Sequence, residues 1–168
     1  MIIAGIPTVL GVFTARFTER GLAQLTFPEE AAAMAQRFSE IPECALPTKR
    51  ALAAILSGSS PQTLPALDLS AGSEFQRAVW RALLDVPIGH TKTYAQIAHD
   101  IGSPNATRAV GSACGANPIP VLIPCHRVVA SGGRMGGFSA GLNWKRRLLA
   151  IEGAMDRELE LVPSNSVP

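Results

Sequence analysis

The sequence predicts a mixed α/β fold of the α+β type, with a small N-terminal domain over residues 1–72 and a helical domain over residues 73–168. Three observations predict this division. Residues 11–27 have the composition of strands around a turn that contains glycine. Residues 57–65, SGSSPQTLP, have the composition of a linker. Beyond residue 73, apolar residues recur at helical spacing behind two helix-start motifs.

The N-terminal part is predicted to hold a β-hairpin and two helices. Strands over Gly11–Thr18 and Leu22–Phe27 flank the turn Glu19-Arg20-Gly21. Pro28, followed by two glutamates, is a typical helix start, and an alanine-rich helix is expected to run to about Phe38. Thr48 is expected to cap a short helix over Lys49–Ser57.

The C-terminal part is predicted to be helical because it carries two capping boxes. SEFQ at Ser73–Gln76 and TYAQ at Thr93–Gln96 each place a hydroxyl three residues before a glutamine. Each is followed by apolar residues on one helical face. Further helices are expected over about Asn105–Gly115 and Asn143–Glu152.

Composition excludes several classes of protein. Apolar residues make up 47% of the 168 residues, which is typical of a globular chain. No apolar run approaches the roughly 20 residues of a membrane helix, and the N-terminus does not resemble a signal peptide. Cys44, Cys114 and Cys125 are too few and too scattered for a disulfide framework or a zinc cluster. We therefore expect a cytoplasmic protein without metal or cofactor.

Positive charge is concentrated in one segment. Residues 73–153 carry nine Lys and Arg against four Asp and Glu, whereas the whole chain has a net charge of only +2. A locally basic segment suggests a polyanionic partner such as nucleic acid. A solvated basic face explains the charge equally well.

The helix over Asn105–Gly115 has two different faces. One is apolar, with Ala106, Ala109, Val110 and Ala113, and the other is nearly bare, with Arg108, Gly111, Ser112 and Gly115. Two glycines within a helix cost about 1 kcal/mol each relative to alanine, which suggests a close approach to another surface. A short helix, a turn and this helix resemble a helix-turn-helix, with Arg108 placed to reach into stacked bases. An ordinary helix–helix contact is the alternative.

The segment IPCHRVV, residues 123–129, places a cysteine beside a histidine. Cys125 is either an inert buried thiol or a nucleophile that His126 activates. In an extended strand the two side chains would point to opposite faces, so activation requires a turn, which Pro124 favours. Glu152, at the end of the last helix, is a candidate to orient the histidine, and a solvated helix-end glutamate is the alternative.

PCHRV, with RAVGSACGANP before it and GGFSAGLNWKRRLLAIEG after it, resembles the O6-alkylguanine-DNA alkyltransferases. The resemblance is dense over residues 73–153 and looser over the N-terminal hairpin. It implies a ribonuclease H-like N-terminal domain and a winged helix-turn-helix in the C-terminal domain. It also implies repair of O6-alkylguanine, and of O4-alkylthymine, by irreversible transfer of the alkyl group to a cysteine after the nucleotide is flipped from the minor groove.

The resemblance assigns roles to individual residues. Cys125 matches the acceptor thiolate, His126 its general base, Glu152 the acid behind it and Asn117 the asparagine that joins the DNA-binding helices to the active-site segment. Tyr94 and Arg108 match residues that rotate the nucleotide and fill its gap. The full DNA-binding set is Tyr94, Thr107, Arg108, Gly111, Ser112 and Arg127. The alkylguanine pocket is expected to be lined by Ser131, Phe138, Ser139 and Lys145.

The resemblance also implies how the chain acts. It would act as a monomer on double-stranded DNA, as a methylated-DNA–protein-cysteine S-methyltransferase. One departure from the family pattern is Phe138, where a tyrosine is usual. Loss of that hydroxyl is expected to alter pocket preference rather than abolish transfer.

Two other functions are compatible with parts of the sequence. A Cys–His hydrolase would turn over many substrates, but it has no use for the Gly/Ser-faced helix with Arg108. A DNA-binding regulator without enzymatic activity would not need Cys125.

Overall fold

The computed structural model describes residues 1–28 and 40–155. Its N-terminal part is a three-stranded antiparallel sheet in the order β1–β2–β3. The strands are β1 (Ile2–Thr8), β2 (Gly11–Thr18) and β3 (Gly21–Thr26). The predicted hairpin of β2 and β3 is confirmed, and the helix predicted from Pro28 to Phe38 lies outside the described residues.

Strand β1 was not predicted, because Gly5 and Pro7 interrupt its apolar run. It pairs along its whole length with β2, from Ile2 opposite Phe17 to Thr8 opposite Gly11. A proline is tolerated in β1 because β1 is an edge strand. On its open side no strand of the described residues pairs with it, so the missing N–H of the proline breaks no hydrogen bond of the sheet there.

One face of the sheet is buried, since side chains alternate across a strand. The buried positions are Ala4, Ile6, Phe13, Ala15, Phe17, Leu22 and Leu25. Helix α1 (Leu46–Ile55) contacts β1 and contributes Ala51, Leu52 and Ile55 to the core. It begins earlier than predicted and is preceded by Ala45, which makes no side-chain cap. The prediction of a Thr48 cap is wrong, because that residue is fully buried inside the helix.

The segment that follows the predicted linker runs along the outer edge of β3. The Leu22 N–H donates to the Ala66 carbonyl, and the Asp68 N–H donates to the Leu22 carbonyl, each at 2.8 Å. Gly21 (φ 136°) faces the Ala66 carbonyl so closely that a side chain would collide with it. The Leu25 N–H also donates to the Pro118 carbonyl at 2.9 Å, which joins the sheet to the C-terminal part. The domain boundary at residue 72 stays a prediction.

The C-terminal part is helical, as predicted. Its helices are α2 (Glu74–Leu84), α3 (Tyr94–Asp100), α4 (Thr107–Gly115) and α5 (Leu142–Ile151). Two short strands, β4 (Lys92–Thr93) and β5 (Val128–Val129), pair in parallel. Both capping boxes are confirmed: each hydroxyl accepts from the N–H three residues on, and each glutamine side chain accepts from the N–H of the capping residue.

Helix α4 contacts both α2 and α3. Its buried residues are Val110, Ala113 and Cys114, and the indole N–H of Trp80 donates to the Ala113 carbonyl at 2.8 Å. Ala109, predicted to belong to the apolar stripe, is exposed. The buried face of α4 therefore includes Cys114, which was not assigned to either face in the sequence analysis.

The predicted mixed α/β class is confirmed by a small antiparallel sheet packed with helices. The ribonuclease H-like and winged helix-turn-helix descriptions stay predictions. None of the helices in residues 1–28 and 40–155 has the length and apolar character to span a bilayer.

The Ser73 capping box yields a test of helix stability. Changing Ser73→Ala removes the acceptor for the Gln76 N–H, so the free energy of unfolding should fall by about 1 kcal/mol. Urea denaturation measures it. Ser60→Ala, at an exposed serine outside the helices, is the control and should change stability by less than about 0.5 kcal/mol. Equal losses in the two variants would contradict the role of the cap.

Candidate active site

Cys125 lies at the start of a 3₁₀ turn, Cys125–Arg127, rather than in an extended strand. Pro124 precedes the turn with φ −81°, and its carbonyl accepts from the Arg127 N–H at 3.0 Å. The turn that the sequence required is therefore present. The thiol, the imidazole and the guanidinium of three consecutive residues all lie in the protein interior.

Asn117 holds the loop that leads to Cys125. Its carboxamide accepts from the Ile119 N–H at 3.0 Å and donates to the Ile123 carbonyl at 2.8 Å. Between those two contacts lies Val121, a buried β-branched residue with φ 74°. Such a conformation costs about 1–3 kcal/mol and persists only where its surroundings impose it. Asn117 also donates to the Cys125 Sγ at 3.1 Å, so the same side chain contacts both the loop and the thiol.

Glu152 connects His126 and Arg127 in a buried network. Its Oε1 lies 2.8 Å from the His126 Nε2. The Arg127 Nε and Nη2 donate to Oε2 and Oε1, both at 2.9 Å, and Nη1 donates to the Val86 carbonyl at 2.6 Å. Burial alone would raise the pKa of Glu152, but the hydrogen bonds from His126 and Arg127 outweigh it and hold that pKa below its usual value. Glu152 is therefore a carboxylate.

The imidazole of His126 is neutral and oriented. Burial lowers the pKa of His126, and the contact with Glu152 opposes that shift without reversing it. A neutral imidazole beside a carboxylate carries its hydrogen on the nitrogen that faces the oxygen, which is Nε2. Nδ1 is then the basic nitrogen. It is buried, and nothing in the described part of the chain forms a hydrogen bond with it.

The Cys125 thiol is protonated at rest. Burial raises the pKa of Cys125, and the hydrogen bond from Asn117 and the charge of Lys145 only partly oppose that effect. The family resemblance implied an acceptor thiolate at this position. The structure instead places a neutral thiol, 4% exposed, next to a neutral base, so the proton has to leave during the reaction.

A cavity of about 360 Å³ opens beside Cys125. This volume lies within the range of about 300–1,000 Å³ that is typical of small-molecule sites. It is lined by Tyr94, Gly111, Cys114, Gly115, Cys125, Gly137, Phe138 and Ser139. Five of these were in the predicted site, so the structure brings the thiol together with residues expected to contact DNA and the base.

Two residues predicted to line the pocket do not. Lys145 is fully buried behind it, and its ammonium donates to the carbonyls of Val128 (2.6 Å), Met135 and Gly137 (3.3 Å). These three hydrogen bonds support the backbone of the cavity wall. Because they use all three N–H groups of the ammonium, Lys145 has none left for a ligand in the cavity. Ser131 is exposed in a 3₁₀ turn, Ser131–Gly133, away from the lining.

Arg127 is a correction to the predicted DNA-binding set. Its side chain is 8% exposed, and Nε, Nη1 and Nη2 are engaged with Glu152 and the Val86 carbonyl. Because these nitrogens already donate to protein acceptors, the guanidinium is not available to bind a DNA phosphate. Its role is to neutralise the carboxylate that orients His126.

Of the other predicted DNA contacts, Tyr94 lies at the start of α3 and lines the cavity, and the remaining four lie on helix α4. Arg108 and Ser112 are exposed, and Thr107 begins the helix. Gly111 lines the cavity from the same helix. The bare face that the sequence predicted is thus continuous with the wall of the cavity.

Cys114 is a site residue that sequence reasoning treated as an inert core thiol. It lines the cavity together with Cys125. Burial raises the pKa of Cys114 to about 12, and the neighbouring Cys125 adds to the shift. Helical spacing could have predicted this position. Cys114 follows Gly111 by three residues and therefore lies on the same face of the helix.

Comparisons with known proteins identify the relatives of this chain. A family model described as 6-O-methylguanine DNA methyltransferase, DNA binding domain, matches residues 74–154. A methylated-DNA–protein-cysteine methyltransferase of Mycolicibacterium paratuberculosis is 55% identical over 86 residues, which are 51% of this chain and 52% of the relative. One of Methanosarcina acetivorans is 49% identical over 83 residues, 49% of this chain and 53% of the relative. The matches span about half the length of these curated relatives.

Two solved structures resemble almost the whole chain. OGT of Mycobacterium tuberculosis in complex with DNA is 36% identical, with a TM-score of 0.76 over 90% of this chain and 92% of that one. The O6-methylguanine methyltransferase of the same organism is 35% identical, with a TM-score of 0.74 over 95% and 97%. Because each of these relatives is at least 35% identical and is covered over more than nine tenths of its length, this chain belongs to the O6-methylguanine DNA methyltransferase family.

Proposed function

We propose that the protein repairs O6-alkylguanine in double-stranded DNA by transferring the alkyl group to the Sγ of Cys125, once per chain. Its activity class is methylated-DNA–protein-cysteine S-methyltransferase, and O4-alkylthymine is a second substrate. One observation carries the proposal. The Cys125 thiol lines a cavity of about 360 Å³ together with residues of a helix that has an exposed, nearly bare face, and the next residue is an imidazole that a carboxylate orients.

The first chemical step is proton transfer. His126 Nδ1 forms no hydrogen bond with the Cys125 thiol, so it accepts the thiol proton through a bridging water and becomes an imidazolium. Glu152 stabilises that cation through Nε2 at 2.8 Å. Asn117 donates to the sulfur at 3.1 Å and stabilises the thiolate as it forms.

The thiolate then attacks the alkyl carbon. A carbon–sulfur bond forms, the carbon–oxygen bond breaks, and the electron pair passes to the guanine, which takes up a proton. Tyr94 lines the cavity, and its hydroxyl, which burial keeps protonated by raising its pKa, passes a proton to the guanine and regains one from solvent, while the imidazolium of His126 releases the thiol proton to solvent. The thioether has no easy hydrolytic route, which limits each chain to one turnover.

The substrate has to leave the base stack before the thiol can reach it. Flipping a nucleotide costs a few kcal/mol. Helix α4 presents Arg108 and Ser112 to solvent beside the cavity, and we infer that it docks in the minor groove while Arg108 fills the vacated space. The protein acts as a monomer in the cytoplasm, a setting that suits its cysteines, which are unpaired in the described residues.

Label transfer from damaged DNA tests the proposal. Incubation with a duplex that carries radiolabelled O6-methylguanine should move one label per chain to Cys125, as located by mass spectrometry. Cys125→Ser should abolish transfer and retain DNA binding. Cys44→Ser, at an exposed thiol, is the matched control and should transfer normally.

The other outcomes favour the competing functions. Release of product over many turnovers would indicate a hydrolase. Binding without any transfer, unchanged by Cys125→Ser, would indicate a DNA-binding regulator.

The neutral imidazole predicts a characteristic pH dependence. Because burial lowers the pKa of His126, the wild-type transfer rate should be nearly flat above about pH 6.5 and fall on acidification. In His126→Gln only thiolate that has already formed reacts, and burial raises the pKa of Cys125. The variant's rate should therefore be low at neutral pH and rise about tenfold per pH unit.

Single-turnover rates between about pH 5.5 and 8.5 measure the two profiles. His90→Gln, at an exposed loop histidine, is the control and should keep the wild-type profile. A flat profile in His126→Gln would show that the imidazole is not the base.

Arg108 is predicted to act on flipping rather than on chemistry. Arg108→Ala should slow transfer from a duplex about 10- to 100-fold, equivalent to about 1.4–2.7 kcal/mol. It should leave the reaction with free O6-benzylguanine base unchanged, since a free base needs no flipping. Arg50→Ala, at an exposed arginine on α1, controls for loss of charge. Equal slowing with both substrates would contradict this role.

A further inference from the structure

One wall of the cavity is a loop with few internal contacts, among them a hydrogen bond from the Gly141 N–H to the Phe138 carbonyl at 3.0 Å. Residues 134–141 form neither helix nor strand, and four of the eight residues before α5 are Gly136, Gly137, Ser139 and Gly141. Three residues of this loop, Gly137, Phe138 and Ser139, line the cavity. Such a segment has high conformational freedom, so contacts from other elements have to determine where the wall lies.

The backbone of the loop is held from two sides. Lys145 donates to the carbonyls of Met135 and Gly137. The Tyr94 hydroxyl donates to the Gly137 carbonyl at 3.4 Å. These contacts end at residue 137 and do not orient the ring of Phe138, which has no hydroxyl of its own to bond.

The Phe138 ring is supported by the N-terminal sheet. It meets the ring of Phe27 edge to face, with centroids 5.8 Å apart and planes at 76°. Phe27 follows directly after β3 and is itself held by Trp144 of α5 at 4.7 Å and by Phe13 of β2 at 5.4 Å. We call Phe13, Phe27, Phe138 and Trp144 the aromatic cluster.

The aromatic cluster links the sheet to the pocket. Phe13 is fully buried and fixed by its strand, whereas Phe27 and Phe138 are partly buried. Phe27 therefore fills the space into which the Phe138 ring would otherwise move. Removing it leaves room behind the cavity wall, and neighbouring side chains relax only partly into such a space.

We propose that Phe27 is a positioning residue for the alkyl pocket, which it shapes by holding the Phe138 ring against the cavity. This inference rests on the proposed function. Phe27 does not touch the substrate. It limits the size of the alkyl group that fits, and it makes the sheet a determinant of specificity.

The test compares two substrates in one assay. Single-turnover rates of Cys125 alkylation are measured with duplexes that carry O6-methylguanine or O6-benzylguanine. In Phe27→Ala the benzyl-to-methyl rate ratio should rise about fivefold, equivalent to about 1 kcal/mol, because the Phe138 ring retreats and the bulky group fits. Phe27→Tyr keeps the ring and should keep the wild-type ratio.

Two controls separate positioning from loss of stability. Phe17→Ala removes a buried ring of the same sheet that lies outside the aromatic cluster. It should lower the melting temperature and leave the ratio unchanged. Phe27→Leu retains an apolar side chain and should raise the ratio as well, which keeps the test available if Phe27→Ala does not fold.

A double variant tests whether the effect passes through Phe138. In a Phe138→Ala background, Phe27→Ala should no longer change the ratio. The inference is overturned if the two rates fall equally in Phe27→Ala and Phe27→Leu, if Phe17→Ala changes the ratio equally, or if the effect persists without Phe138. Failure of the wild-type protein to transfer either group would overturn the proposed function and, with it, this inference.

Discussion

The site depends on the neutralisation of one buried carboxylate. Glu152 lies at the end of α5, where the helix dipole disfavours negative charge, and it is removed from water. Arg127 compensates with two hydrogen bonds and His126 with one. Removing one member of such a network leaves an uncompensated charge and typically costs about 3–5 kcal/mol. The network therefore ties helix α5 to the turn that carries Cys125.

This constraint also determines the protonation states of the site. Burial lowers the pKa of His126 and the charge of Arg127 adds to that effect, so the imidazole remains neutral and presents Nδ1 as a base. Burial keeps the thiol protonated in the same environment. Under the proposed function, a protonated resting thiol is an advantage, because a permanently anionic sulfur would be consumed by other electrophiles before it reached a damaged base.

The cavity is assembled from elements that are distant in the sequence. Helix α4 supplies a wall of small side chains, the turn supplies the thiol, and the glycine-rich loop supplies Phe138 and Ser139. Tyr94 and Lys145 donate hydrogen bonds to the backbone of the loop, and the Phe138 ring packs against Phe27 of the aromatic cluster. Sheet and helices thus contribute to one pocket, and Leu25 and Pro118 reinforce the link through a backbone hydrogen bond of 2.9 Å.

The sequence by itself determined the elements with strong local signals. The two capping boxes, the β2–β3 hairpin and the helices α2 to α5 all follow from short patterns of residues. The turn at Cys125 was only a condition for its activation, which Pro124 favoured. Strand β1 escaped prediction because Gly5 and Pro7 weaken its pattern, and the partner strand that tolerates them is not visible locally. The residues themselves suggested Cys125, His126 and Glu152 as a set and left inert alternatives open, and the family resemblance favoured the catalytic interpretation. In the structure His126 follows Cys125 in one turn and lies 2.8 Å from Glu152.

Only the tertiary structure decided what each charged or polar side chain contacts. Arg127 is adjacent to His126 in the sequence and turned out to face Glu152, 25 residues away, rather than DNA. Lys145 supports the pocket from behind, and Cys114 enters it. The physical reason is that periodicity determines the face of an element on which a residue lies. The packing of distant elements determines whether that face meets solvent, a cavity or a buried charge.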